Sequence, residues 1–212
     1  MKKRILLITQ NFSPEIGSAA NRMLRISENL SEHFQLTVLT TEPQYPKKDI
    51  YEDSRFWQEK IDNIEVKRVV TKNRRFERNF LARFLLYLEV LWKLLKIICK
   101  DKNQYDLVFV STPPLSIPLL GLFAKRKFKA GLIVDVRDLW PETLKAVKGI
   151  FTRIIRYLAY PIERFIYLKA DEIIVNSEGF IPYIRKIVGE EKEIYFIPNS
   201  LTKEEFEQKK RI

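Results

Sequence analysis

Eight residues, Asp135-Val-Arg-Asp-Leu-Trp-Pro-Glu142, carry four ionisable side chains directly after a strand-like apolar run, Ala130 to Val134. A carboxylate accepts hydrogen bonds, and a guanidinium forms paired bonds to a carboxylate or a phosphate. Arg137 can therefore pair with Asp138 or with an anionic ligand. The carboxyl end of a strand is also where open α/β sheets place their ligands. The plainer reading is a strand running into a helix start, with Pro141 in the first turn and Glu142 favoured by the helix dipole. Leu139 and Trp140 interrupt the charges, so the segment does not read as a merely solvated turn.

A second polar constellation follows the first strand. Gln10-Asn-Phe-Ser-Pro-Glu-Ile-Gly-Ser18 leads into an amphipathic pattern from about Ala19 to Ser31. Loops that bind phosphate rely on glycine and a helix amino terminus. Gly17 stands at that point, but no Gly-x-Gly-x-x-Gly accompanies it, which argues against an ordinary dinucleotide fingerprint. A single glycine also suits plain turn geometry. Asn21 and Arg22 lie in the first turn beyond the loop and can face the same cleft; Arg22 reads equally as a solvated helix residue.

Positioning these groups requires strands whose carboxyl ends lie together. Strands are expected at Arg4 to Thr9, Leu36 to Thr41, Ile64 to Val70, Leu107 to Ser111, Gly131 to Val136, Glu172 to Asn176 and Ile194 to Ile197, with helices between most of them. That alternation predicts an α/β, Rossmann-like domain: a mostly parallel sheet of about seven strands with helices on both faces. For the two constellations to form one site, the first strand must be central and parallel to the strand ending near Val136, with Phe12 to Ser18 beside Arg137 to Glu142. Glu42 to Ile61, with two prolines and no sustained period, reads as a long loop with a helical turn around Phe56 and Trp57.

Composition narrows the function classes. A chain of 212 residues that is 46% hydrophobic can bury one substantial core. One cysteine, Cys99, excludes an internal disulfide, and with one histidine, His33, no zinc cluster can be assembled. Cys99 lies in an apolar helical run and reads as a packed thiol. Ile5 to Ile8 is too short for a signal-peptide core, which places the protein in the cytoplasm.

The formal net charge of +11 is concentrated in two apolar stretches. Lys72 to Lys100 has a balance of +6, including Arg74, Arg75 and Arg78, and Phe80, Leu81, Phe84, Leu85, Leu88, Leu91, Trp92, Leu95 and Ile98 recur at spacings of three and four. Leu86, Val90, Leu94 and Ile97 widen that stripe beyond what one sheet face needs. Charges interrupt it too often for a membrane span, so an interfacial helix fits, with Arg74, Arg75, Arg78, Phe80 and Phe84 as membrane-binding residues. Lys145 to Lys169 has a balance of +5 and a helical row of Phe151, Ile154, Ile155, Leu158, Ile162, Phe165 and Ile166, with Pro161 expected to kink it. Alone, this second segment reads as a core helix with snorkelling basic residues; the two together favour a membrane surface. Nucleic acid is a poorer partner, because the basic residues are embedded in aliphatic stripes and no zinc-finger, RNP-type or helix-turn-helix signature is present.

The order of the motifs resembles the amino-terminal, acceptor-binding half of a family-four glycosyltransferase of the GT-B fold. The residues that carry the resemblance are Arg4-Ile-Leu-Leu-Ile-Thr9 with the Gln10 to Ser18 loop, Leu36-Thr-Val-Leu-Thr-Thr41 with Pro43 and Tyr45-Pro46, Asp106-Leu-Val-Phe-Val-Ser111 with Pro113-Pro114-Leu115, the Asp135 to Glu142 segment, Ala170-Asp-Glu-Ile-Ile-Val175 with Ser177, and Ile197-Pro-Asn199. They cover nearly the whole chain and are most similar to the bacterial subgroup that builds capsule, O-antigen and other exopolysaccharide repeats.

The resemblance implies retaining, metal-independent transfer of a sugar from a nucleotide donor onto a lipid-linked glycan acceptor at the cytoplasmic membrane face. The donor would be UDP-linked, an N-acetylated hexosamine or its deoxy relative, and no cofactor is called for. The family's loop commonly carries two adjacent glycines that let the backbone approach sugar and phosphate; here Gly17 keeps the first place and Ser18 takes the second. Many members carry a histidine near the end of the strand at 132 to 136, where this chain has Arg137-Asp138. Asp138 is left as the expected catalytic group, with Gly17, Ser18, Asn21, Arg22, Arg137 and Glu142 as substrate-binding residues. Residues 1–198 are expected to form the Rossmann-like lobe and 199–212 the start of an interlobe linker. The donor lobe, with its pair of glutamates separated by seven residues, is not encoded, so the chain is expected to be an amino-terminal domain or a truncated gene product, inactive alone. The competing expectation is a non-catalytic scaffold or partner subunit that docks onto a separate catalytic lobe.

Overall fold

The computed structural model describes residues 2–57, 64–71, 80–146 and 149–199. Strands β1 (Arg4–Ile8), β2 (Gln35–Thr41), β3 (Ile64–Val69), β4 (Leu107–Thr112), β5 (Gly131–Val136), β6 (Glu172–Val175) and β7 (Ile194–Phe196) form a single sheet. Every neighbouring pair is parallel, in the order β3-β2-β1-β4-β5-β6-β7. The order steps outward from β1 in one direction and from β4 in the other, so the topological switch point lies between these two strands. Each strand, and α1, ends within a residue or two of the expected position.

The central strands β1, β4, β5 and β6 are apolar almost without interruption because both faces are covered, whereas the edge strand β3 carries Glu65, Lys67 and Arg68. Ile5 and Leu7 point into a core shared with Met23 and Leu24 of α1 (Ser18–His33). Leu6 and Ile8 point the other way, under α2 (Phe80–Lys100), α3 (Ser116–Phe128), α4 (Ile150–Lys169) and α5 (Ile181–Val188). The closest approach is at Gly121 of α3, where a Cβ would lie 2.4 Å from Val110 Cγ1 and 3.1 Å from Leu132 Cδ1. Only a glycine lets that helix sit so near the sheet.

The two basic, apolar helices differ from expectation in which residues they bury. In α2 the buried row is Leu86, Val90, Leu94 and Ile98 at i, i+4 spacing, while Phe84, Leu85, Leu88 and Trp92 stay outside. α4 does join the core, but through few residues of the expected row. Ala159, Glu163, Ile166 and Tyr167 face inward, whereas Ile154, Leu158, Ile162 and Phe165 are exposed. Of the row visible in the sequence, Ile154, Leu158, Ile162 and Phe165 form α4's outer face, whereas Ile166 is buried. Pro161 lies inside α4, which runs on past it. Among the described residues no helix is long and apolar enough to cross a membrane. Arg74, Arg75 and Arg78, and the side chain of Phe80, lie outside the described residues.

Candidate functional site

A crevice of about 210 Å³ opens where the carboxyl ends of the central strands meet. Ser18 and Ala19 reach it from the β1 side, Pro113 from the end of β4, Arg137 and Asp138 from β5, Asn176 from β6 and Asn199 from beyond β7. These contributions converge because the strands are parallel and in register, so their following loops leave the same edge of the sheet.

A buried ion pair joins the two sides of this edge. Arg22, in the second turn of α1, meets Asp135 of β5 through Nη2–Oδ1 at 2.7 Å and Nε–Oδ2 at 3.1 Å, and the two side chains are only 3% and 0% exposed. The remaining arm of Arg22 donates to the Pro198 carbonyl and to Asn199 Oδ1, both at 3.2 Å. One guanidinium thus ties α1, β5 and the segment after β7 together. The solvated alternative for Arg22 is excluded.

Arg137 and Asp138 are half-buried and open onto the crevice. Arg137 Nε donates to Ser111 Oγ at 2.7 Å and Nη2 to the Pro113 carbonyl at 3.0 Å, which fixes the plane of the guanidinium. Burial lowers the Arg137 pKa, opposed by the Asp135 charge. Burial raises that of Asp138, opposed by the Leu139 backbone N–H and by Arg137. A fixed guanidinium beside a carboxyl group whose pKa is pushed up suits recognition of phosphate or hydroxyl groups and transfer of a proton.

Not every expected residue reaches this crevice. Gly17 precedes it with extended backbone, φ 161°, and a Cβ there would meet only Tyr45 Cδ1, at 4.0 Å. Nothing in that geometry demands glycine. Asn21 lines a separate hollow of about 290 Å³ with Ser13, Glu15, Arg25, Arg55 and Phe56. This hollow is the larger and holds the buried Glu15, but the strand ends converge on the other, beside the Arg22–Asp135 pair. Glu142 turns away towards the helix layer, where it is bonded to Tyr160 and lies 2.5 Å from Lys145 Nζ. These partners lower its pKa. The convergence expected of Gly17, Arg137, Asp138 and Glu142 is thus met by Arg137 and Asp138, with Ser18 in place of Gly17.

The loop before α1 is braced from the far side. Arg68 of β3 donates to the carbonyls of Ser13 and Thr41 and lies over the rings of Phe12, at 5.8 Å, and Trp57, at 5.3 Å. Short 3₁₀ turns at Lys48–Glu52 and Ser54–Trp57 hold Trp57 there.

A family model described as a glycosyl transferase 4-like domain matches residues 17–200. The chain belongs to this glycosyl transferase 4-like family. No curated protein matches it. Among solved structures, TcCGT1 in complex with UDP has a TM-score of 0.60 at 13% identity over 100% of this chain and 55% of that one. Phytolacca americana UGT2, complexed with UDP-2fluoro-glucose and pterostilbene, has a TM-score of 0.59 at 11% identity, over 98% and 57%. Sucrose-phosphate synthase from Thermosynechococcus elongatus has a TM-score of 0.57 at 16% identity, over 92% and 48%. At these identities the likeness is one of fold. The chain spans about half the length of these structures.

In this glycosyl transferase 4-like chain, sequence reasoning missed Asn176 and Asn199, which line the crevice, and Ser111 and Asp135, which hold Arg137 and Arg22 in place behind it. Ser111 and Asn176 sit at or just past strand ends, a position that could have marked them. Asp135 stood among the four charges that drew attention to β5, but nothing local paired it with Arg22.

Proposed function

We propose that this chain is the acceptor-binding lobe of a retaining, metal-independent glycosyltransferase that moves a sugar from a UDP-linked donor to a lipid-linked glycan at the cytoplasmic membrane face. Bacterial surface polysaccharide, of the capsule or O-antigen kind, is the product class. The observation that carries this reading is the crevice itself: a half-buried carboxyl and a fixed guanidinium, Asp138 and Arg137, at the switch point of a glycosyl transferase 4-like domain. UDP in the TcCGT1 structure and UDP-2fluoro-glucose in the Phytolacca americana UGT2 structure support the choice of donor nucleotide.

In this reading Asp138 faces the acceptor hydroxyl or the reacting sugar and acts as the catalytic group. Its raised pKa brings it nearer the working range of a proton acceptor. Arg137 and Ser18 contact substrate directly. Arg22 is a positioning residue, because its guanidinium is taken up by Asp135, Pro198 and Asn199. Asn21 serves an acceptor that extends into the neighbouring hollow. A second lobe supplies most of the donor contacts, and with them the groups that stabilise the departing diphosphate.

A transfer assay tests the proposal, using a UDP-sugar and a lipid-linked sugar acceptor with this chain alone and with a donor lobe supplied by a longer form or a partner polypeptide. Turnover is expected only with the lobe, and Asp138→Asn should lower it by on the order of 10²-fold or more. Steady turnover by the chain alone, or a fully active Asp138→Asn protein, would overturn this reading.

A further inference from the structure

We infer that the outer face of α4 is the surface by which the protein docks onto an anionic lipid bilayer. Ile154, Tyr157, Leu158, Ile162 and Phe165 recur at three- and four-residue spacing and form one stripe, in which Tyr157 is 79% and Leu158 59% exposed. Arg153 and Arg164 are exposed along one border of the stripe, and Lys169 lies at its far end. The only acid in α4, Glu163, points inward with no exposed surface. An apolar face edged by cations, with no outward acid, complements a surface of acyl chains beneath anionic headgroups.

A second copy of the chain is a poorer occupant. An antiparallel two-fold contact through this face would bring Arg153 and Arg164 of each copy towards the same basic border of the other. The charge that suits an anionic leaflet opposes self-association.

The placement of α4 gives docking a consequence for the site. Its 20 residues span ~30 Å, whereas the six residues of β5 span ~20 Å and the four of β6 ~13 Å. The carboxyl end of α4 leads directly into β6, so the surplus length lies at the helix's amino end, on the crevice side of the sheet. Ile154, Tyr157 and Leu158 lie in that amino half of the helix. The anchor of Glu142 on Tyr160, at mid-helix, fixes this relation. A bilayer against the stripe would border the crevice, leaving a lipid-linked acceptor's tail in the membrane while its sugar enters. Phe84, Leu88 and Trp92 of α2, on the far side of α3 from α4, are exposed as well. This consequence rests on the lipid-linked acceptor proposed above; the docking itself does not.

The test is co-sedimentation of the full chain with vesicles of phosphatidylglycerol and phosphatidylcholine, with no donor or acceptor present. Binding should exceed that to phosphatidylcholine alone and weaken as salt rises. Joint replacement Ile154→Ser and Leu158→Ser should weaken it by about tenfold or more, with unchanged thermal unfolding because both side chains are solvent-exposed. Tyr195→Ser, an exposed position on the edge strand, should leave binding as it is. Trp fluorescence from Tyr157→Trp should be quenched by bromine-labelled acyl chains. Equal binding by the double variant, no quenching, or no binding at low salt would each overturn the inference. So would self-association of the parent that the double variant abolishes. Loss of transfer with vesicle binding intact would count against the proposed function alone, and the reverse against the docking surface alone.

Discussion

Asp135 and Glu163 are both buried without exposed surface, yet their neighbours differ. Asp135, on the crevice side, faces a fork of guanidinium nitrogens from Arg22. Glu163, in the helix layer, has the hydroxyls of Tyr167 at 3.0 Å and Tyr183 at 2.6 Å. Those donors are outweighed by burial, which pushes the Glu163 pKa up to about 7. Removal from water favours a neutral acid, and a paired cation is what holds the charge. Asp138 stands between the two cases, half-buried beside Arg137 and with its pKa raised. The comparison separates a carboxylate that holds elements together from one that stores a titration and one left open to a ligand.

The largest expected effect tests the paired member. Asp135→Ala leaves the Arg22 charge buried without its partner, and urea or thermal unfolding should show a loss of about 3–5 kcal/mol. Replacing both, as Arg22→Met with Asp135→Leu, should recover most of it. A single variant as stable as the parent would remove the pair from its place in the fold.

Next is the unpaired member, whose signature is a pH dependence. Folded Glu163 keeps its proton between its ordinary value of 4.5 and about 7, where the unfolded chain has lost it. Its contribution is therefore fully present below pH 4.5 and is lost as pH rises through 7, a fall of about 3 kcal/mol from a shift of this size. Glu163→Gln should flatten that fall and make the protein more stable than the parent at pH 8. Unfolding curves with the same pH slope in both proteins would contradict this.

Asp138→Asn should behave in the opposite way, leaving unfolding nearly unchanged. Transfer in the presence of a donor lobe should fall by on the order of 10²-fold or more. A loss of stability without a loss of transfer would make Asp138 structural, like Asp135. The smallest effect is expected of Gly17→Ala. The extended backbone accepts a side chain, so stability should change by about 1 kcal/mol or less, chiefly through the helix cap. A large loss of transfer at preserved stability would show that a ligand approaches this backbone closely.

Much of the architecture was legible because its causes are local. Apolar runs such as Ile5 to Ile8 and Leu107 to Val110 could only be strands of a sheet covered on both faces, and their alternation with helical patterns implied parallel pairing. Part of the site was legible for the same reason, since Arg137 and Asp138 directly follow a strand. Glu142 misled because closeness in sequence does not fix side-chain direction: the turn after Pro141 carries it to Tyr160, in the helix layer. The apolar row of α4 misled in another way. Periodicity identifies a face but does not say whether it points inward, and here Ala159, Glu163 and Tyr167 share the buried side with Ile166.

By itself, the sequence determined the element types, their order, the parallel sheet and the position of Arg137 and Asp138 at a strand end, because hydrophobic period and turn chemistry act over a few residues. Only the tertiary structure decided that Arg22 pairs with Asp135, 113 residues away, that Asn21 and Ser18 enter different hollows, and that α4 turns its apolar stripe outward. Those outcomes depend on how whole elements pack, and a local pattern contains neither the partner nor the direction.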